Sequence, residues 1–207
     1  MARADLHSTV SDQPTAPEVF LRDVLKGLGR TPKQLPCKYF YDRHGSELFD
    51  QICELDEYYL TRTELAIMRE HAAEMAVRIG PRCLLVEPGS GSSRKTRLLL
   101  GQLEEVAAYV PVDISMEHMT RWAKALAGDF PRLHVIPVHA DFSAEFPVPD
   151  VPLAERRAVY FPGSTIGNFQ PNAAVSLIGR MARLVGTHGG LLIGIDRKKD
   201  PAVLEAA

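Results

Sequence analysis

The spacing of apolar positions changes near residue 80. Before that point it is helical. Val19, Phe20, Val24, Leu25 and Leu28 share one stripe between Glu18 and Leu28, and Gly29 follows as a stop signal. Thr31 to Pro36 is rich in turn residues and reads as an irregular connector. Ser46, after Gly45, reads as the cap of a short helix carrying Leu48, Phe49 and Ile52. Thr61-Arg62-Thr63-Glu64 fits a capping box, with Thr61 as cap and Glu64 three residues on. The helix it opens turns Leu65, Met68, Ala72, Met75 and Ile79 inward and stops at Gly80-Pro81.

Beyond residue 80, short apolar runs alternate with helical patterns. The runs Cys83–Glu87, Ala108–Asp113, Leu133–Val138, Ala158–Phe161 and Gly190–Ile195 read as strands. Arg94–Leu103, Met116–Ala127, Asn172–Leu184 and a segment from Pro201 to Ala207 read as helices. Strict alternation predicts an α/β fold whose parallel sheet is covered on both faces. Pro111 and Pro137 weaken their strands locally, because proline cannot donate to the ladder. The chain divides into a flexible arm (1–17), a helical region (18–80) and a sheet domain (81–207). A doubly wound sheet often holds a sixth strand, so the sequence reads as cut short.

Composition narrows the function classes. A net charge of −2 offers no basic footprint for nucleic acid. No apolar run approaches the roughly 18 residues that suggest a membrane span, and the polar N-terminus lacks the apolar core of a secretory signal. Cys37, Cys53 and Cys83 are scattered and form no Cys-x-x-Cys pair, which points to a reducing cytoplasm. The seven histidines show no metal-ligand spacing, so no metal is expected.

Candidate chemistry concentrates where the first strand ends. Leu84-Leu85-Val86-Glu87-Pro88-Gly89-Ser90-Gly91 runs from a buried strand into a Gly-x-Gly turn, and a helix starts at Arg94. Such a loop marks a nucleotide-type ligand at the carboxyl end of a strand. A dinucleotide fingerprint needs a third glycine at position 94, where arginine stands. A phosphate-cradling loop needs glycine at that same position. Gly89 to Thr96, with its Lys95-Thr96 pair, is otherwise a near match, which leaves a small-molecule kinase as one reading. S-adenosylmethionine has no phosphate to cradle, and one Gly-x-Gly turn suffices for it. Asp113 ends the second strand at the separation expected of an acid that accepts from ribose hydroxyls. Asp141 can accept from an adenine amino group, and the Phe142 ring can lie against the base.

Several strings resemble the histidine-specific S-adenosylmethionine-dependent methyltransferases of ergothioneine biosynthesis. They include Leu35-Pro36-Cys37-Lys38-Tyr39-Phe40-Tyr41-Asp42, Glu57-Tyr58-Tyr59-Leu60-Thr61-Arg62-Thr63-Glu64, Glu87-Pro88-Gly89-Ser90-Gly91, Val112-Asp113-Ile114-Ser115, Ala140-Asp141-Phe142 and Phe161-Pro162-Gly163-Ser164-Thr165-Ile166-Gly167-Asn168. The resemblance implies a Rossmann-like class I methyltransferase sheet in residues 81–207, incomplete at its C-terminus, with residues 18–80 contributing to the substrate site. It implies cofactor contacts from Gly89, Lys95, Asp113, Asp141 and Phe142. For the substrate it implies Tyr58 at the side chain and Tyr41, Gly163 and Asn168 at the α-amino and carboxylate ends. The implied reaction is methyl transfer from S-adenosylmethionine to the α-amino group of an amino acid, most closely L-histidine. No residue is nominated as a general base, and oligomeric state is left open. Pro88 stands where many family members carry leucine, and the family's acid and serine partners for the substrate side chain have no counterpart here. A cofactor-binding remnant without turnover is therefore the alternative from another class.

Overall fold

The computed structural model describes residues 17–91 and 94–205. Residues 1–16 of the expected arm, Ser92 and Ser93 of the glycine loop, and Ala206 and Ala207 of the last expected helix lie outside the described residues.

Three helices come first, α1 (Pro17–Leu28), α2 (Arg43–Ile52) and α3 (Tyr59–Ile79). Two expected caps fall elsewhere. Asp42 caps α2 by accepting the Gly45 N–H at 2.7 Å, which places Ser46 inside the helix. α3 begins two residues before Thr61, whose hydroxyl lies 3.3 Å from the Cys53 sulfur instead of capping the helix. The inward face of α3 is Leu65, Met68, Ala72, Ala76 and Ile79, with Met75 partly buried. Much of the α1 stripe stays at the surface: Phe20, Leu25 and Leu28 are exposed, while Val19 and Val24 are half-buried.

The sheet holds β1 (Cys83–Pro88), β2 (Ala108–Asp113), β3 (Val138–His139), β4 (Arg156–Phe161) and β5 (Gly190–Ile193) in the order β3-β2-β1-β4-β5, every pair parallel. Between them run α4 (Arg94–Leu100), α5 (Met116–Asp129) and α6 (Pro171–Val185), and α7 (Pro201–Glu205) follows β5. β1 is buried along its whole length, as a central strand covered on both faces must be. One face packs residues of α3, α4 and α5 against Leu85, Tyr109, Ala158 and Tyr160. The other packs α6 residues Leu177 and Met181 against Leu84, Val86, Val110, Val159 and Phe161. The third strand is much shorter than the expected Leu133–Val138. Pro137 cannot donate, so regular pairing starts only at Val138 and an isolated bridge joins Tyr109 to Val135. Pro111, by contrast, is kept inside β2 opposite Glu87.

Hydrogen bonds beyond the strand ends staple the carboxyl edge of the sheet together. Gly89 N–H donates to the Val112 carbonyl at 2.7 Å, Ala140 N–H to Asp113 at 3.1 Å, and Gly194 N–H to Phe161 at 3.0 Å. Loops from all five strands therefore meet along one rim.

Candidate active site

At the centre of this rim, Gly89 and Gly91 adopt φ of 71° and 48°, a region that favours glycine. A Cβ on Gly89 would stand 3.2 Å from the Phe142 ring, whereas a Cβ on Gly91 would meet little beyond the Gly89 carbonyl at 3.9 Å. The loop thus packs closely on its Phe142 side and presents bare backbone elsewhere.

Beneath the loop, the Glu87 carboxylate is only 2% exposed. Its Oε2 accepts from the Thr96 hydroxyl and the Tyr109 hydroxyl, each at 2.6 Å. Burial pushes this carboxyl up to about 7, because the two hydroxyls and nearby Lys95 only partly offset the lost solvation. Thr96 is fully buried and committed to Glu87, so the Lys95-Thr96 pair does not act as the end of a phosphate-cradling loop.

Asp113 ends β2, and its Oδ1 accepts the Ser115 N–H at 2.9 Å, which fixes the side chain at the rim. On the next loop, Asp141 Oδ1 accepts from the Ser143 backbone and hydroxyl, and Oδ2 accepts from Lys38 at 3.0 Å. Burial works to raise this carboxyl, but the Ser143 and Lys38 hydrogen bonds prevail and hold it below the usual range. Three of its roughly four acceptor positions are occupied, which leaves one for a ligand donor. Phe142 makes edge contacts with Phe161 (5.7 Å) and tilted contacts with Phe169 (6.2 Å). It is a partly buried wall of the core that also backs Gly89.

The helical segment supplies an aromatic group. The Tyr41 ring contacts Phe49, and Phe49 contacts Tyr58, both at 5.8 Å between centroids. Burial raises the Tyr41 hydroxyl, with smaller contributions from Cys37, Cys53 and Asp113, so Tyr41 sits within electrostatic reach of the β2 rim. Burial, reinforced mainly by Cys53, pushes Tyr58 up to about 12, which keeps it a neutral donor at working pH.

Gly163, at φ 79°, follows β4, and Lys95 lies close enough that a Cβ on Gly163 would stand 3.3 Å from its Nζ. Asn168 ends the single helical turn Thr165–Asn168 and is exposed. Among the described residues, no hydrogen bond ties its amide to Tyr41 or Tyr58. The structure therefore gathers Gly89, Lys95, Asp113, Asp141, Phe142 and Gly163 along the rim and brings Tyr41 and Tyr58 toward it. Asn168 borders the rim through its neighbour Phe169.

Two residues of this constellation are invisible to local sequence reasoning. Glu64, expected to cap its own helix, instead accepts Lys95 Nζ at 2.6 Å and the Gly163 N–H at 2.9 Å. Lys38 reaches across 103 positions to Asp141. Charge alone singles out neither, since their partners are fixed by the fold.

A model of the histidine-specific, S-adenosylmethionine-dependent methyltransferase family matches residues 20–207. The chain belongs to this family. The histidine N-alpha-methyltransferase of Mycobacterium tuberculosis is 41% identical over 189 residues, covering 90% of this chain and 58% of that protein. Its counterpart in Mycolicibacterium smegmatis is 39% identical, covering 93% and 60% respectively. The chain therefore spans about three fifths of the length of these curated relatives. In fold it is similar to the magnesium protoporphyrin IX methyltransferase of Synechocystis PCC 6803, solved with bound SAM. The TM-score is 0.53 at 12% identity, over 72% of this chain and 69% of that one. The sheet is that of a Rossmann-like class I methyltransferase, and family membership disfavours the kinase reading. No helix among the described residues is long and apolar enough to cross a membrane.

Proposed function

We propose that this methyltransferase-family chain binds S-adenosylmethionine at the carboxyl rim and methylates the α-amino group of an amino acid, L-histidine. The observation that carries the reading is the convergence of Gly89, Asp113 and Asp141-Phe142 on adjacent loops of one sheet edge. The donor set fits the cofactor. Bare backbone at Gly89 and Gly91 admits close approach, and the Asp113 carboxylate suits two ribose hydroxyls. Asp141 has acceptor capacity for an amino group, and the Lys95 ammonium suits the carboxylate of the cofactor's amino-acid tail. When bound, the cofactor supplies an electrophilic methyl group on a sulfonium.

The remaining work is orientation, which can lower a barrier by several kcal/mol. In this reading Tyr41, Gly163 and Asn168 hold the α-amino and carboxylate ends, and Tyr58, as a neutral phenol, donates to the substrate side chain. The amine must be neutral to attack. Free α-amino groups titrate near roughly 8, so a usable fraction is neutral at working pH without a dedicated base. Residues 18–80 form the substrate-side unit and residues 81–207 the cofactor unit. The three free cysteines accord with a reducing cytoplasm.

The test supplies the chain with methyl-labelled S-adenosylmethionine and L-histidine and follows N-methylated product by mass spectrometry. Label on the α-nitrogen supports the proposal. Cofactor binding without methylated product would contradict the transfer reading.

A further inference from the structure

One carboxylate touches both halves of the candidate site. Glu64 projects from the first turns of α3, whose next residues, Leu65 and Met68, are anchored in the core. Its Oε2 accepts Lys95 Nζ from α4 at 2.6 Å, and both of its oxygens lie 2.9 Å from the Gly163 N–H after β4. The loop after β5 closes over it at Gly194, where a Cβ would come 2.1 Å from Oε1. The Glu64 and Lys95 side chains are only 19% and 20% exposed. Glu64 is also among the charges that raise the Tyr58 hydroxyl. Four segments thus converge on one charged group at the rim.

We infer that Glu64 is a positioning residue that sets Lys95 for the cofactor's amino-acid tail and the Gly163 backbone for the substrate, coupling the two halves. This rests on the cofactor reading above. A lysine has a long flexible stem, and ordering it at the moment of binding costs affinity. An ion pair formed beforehand removes part of that cost. Of the cofactor's three parts, only the tail carries a carboxylate, so the effect of Glu64 is confined to ligands that possess the tail.

This confinement separates positioning from mere structural support. Calorimetric titration with S-adenosylhomocysteine, which has the tail, and with 5′-methylthioadenosine, which lacks it, is run on wild type, E64Q, K95M and the double variant. E64Q weakens S-adenosylhomocysteine about tenfold, or roughly 1.4 kcal/mol, and leaves methylthioadenosine within about twofold. The double variant binds no more weakly than K95M alone, because both substitutions remove one interaction. Equal losses for the two ligands, unchanged S-adenosylhomocysteine affinity in E64Q, or multiplicative losses in the double variant would overturn the inference and leave the cofactor reading standing. Failure of the wild-type chain to bind either ligand would overturn the cofactor reading itself. If E64Q does not fold, E64D, which keeps the charge but withdraws it by one methylene, is read with the same pair of ligands and the same selective loss is expected.

Discussion

Glu87 gives the sharpest test of how the rim is built. Its carboxyl lies beneath the glycine loop, accepts two hydroxyl hydrogen bonds, and is raised from 4.5 to about 7, chiefly by burial. In the unfolded chain it releases its proton near 4.5, whereas in the folded protein it holds the proton until about 7. Between those values the native state binds the extra proton, so stability falls as pH rises. Below about 4.5 both states are protonated and Glu87 carries no such penalty. Above about 7 the full cost of a buried carboxylate is present, roughly 3 kcal/mol at about 1.4 kcal/mol per unit. The isosteric E87Q cannot ionise, and its amide oxygen can still accept from Thr96 and Tyr109. Urea denaturation of both proteins from pH 4 to 8.5, plotted as a difference, isolates Glu87 from every other titrating group. The wild type should lose about 3 kcal/mol relative to E87Q across that window, with midpoints in thermal melts diverging by roughly 6–12 °C. Parallel profiles would mean that Glu87 is not buried as a costly carboxylate and that water or a rearranged partner solvates it.

Further expectations follow from individual contacts. G89A must hold a left-handed backbone and press a methyl toward Phe142 at 3.2 Å. It should lose about 1–2 kcal/mol in denaturant melts together with most cofactor affinity. G194A places a methyl where Glu64 Oε1 lies, so it should reproduce the selective loss of S-adenosylhomocysteine binding expected for E64Q, and calorimetry decides. The ultraviolet pH titration of wild type minus Y58F should show the missing phenol ionising near 12, since burial raises it; a difference transition near 10 would show Tyr58 solvated. Y59F removes the 2.6 Å hydrogen bond from Tyr59 to Asp196 and should cost about 0.5–1.5 kcal/mol by urea denaturation.

The α/β architecture was legible because β1, β2 and β4 are runs of apolar residues long enough to be buried on both faces. The third strand was legible only in position, since Pro137 interrupts the ladder that its apolar residues advertise. Acid-ended strands pointed to the rim because parallel strands bring their carboxyl ends to one side. Local motifs misled where a distant partner prevailed. Thr61-x-x-Glu64 has the form of a capping box, yet Glu64 is taken by a lysine 31 residues away and a backbone amide 99 residues away. Lys95-Thr96 has the form of a phosphate-loop ending, yet the threonine is buried on Glu87. The strand order, which alone decides which loops are neighbours, cannot be read from spacing.

If one sheet edge holds the adenosyl ligand between the loops after β1, β2 and β3, the backbone amides of those loops must report its binding. Two-dimensional amide NMR of the labelled chain with added S-adenosylhomocysteine tests it most directly. Shifts should concentrate at Gly89, Gly91, Asp113, Asp141, Phe142 and Gly163, saturate at one equivalent, and be lost or strongly weakened in D113A. An unchanged spectrum, or shifts confined to the opposite end of the sheet near Arg157 and Thr187, would contradict it.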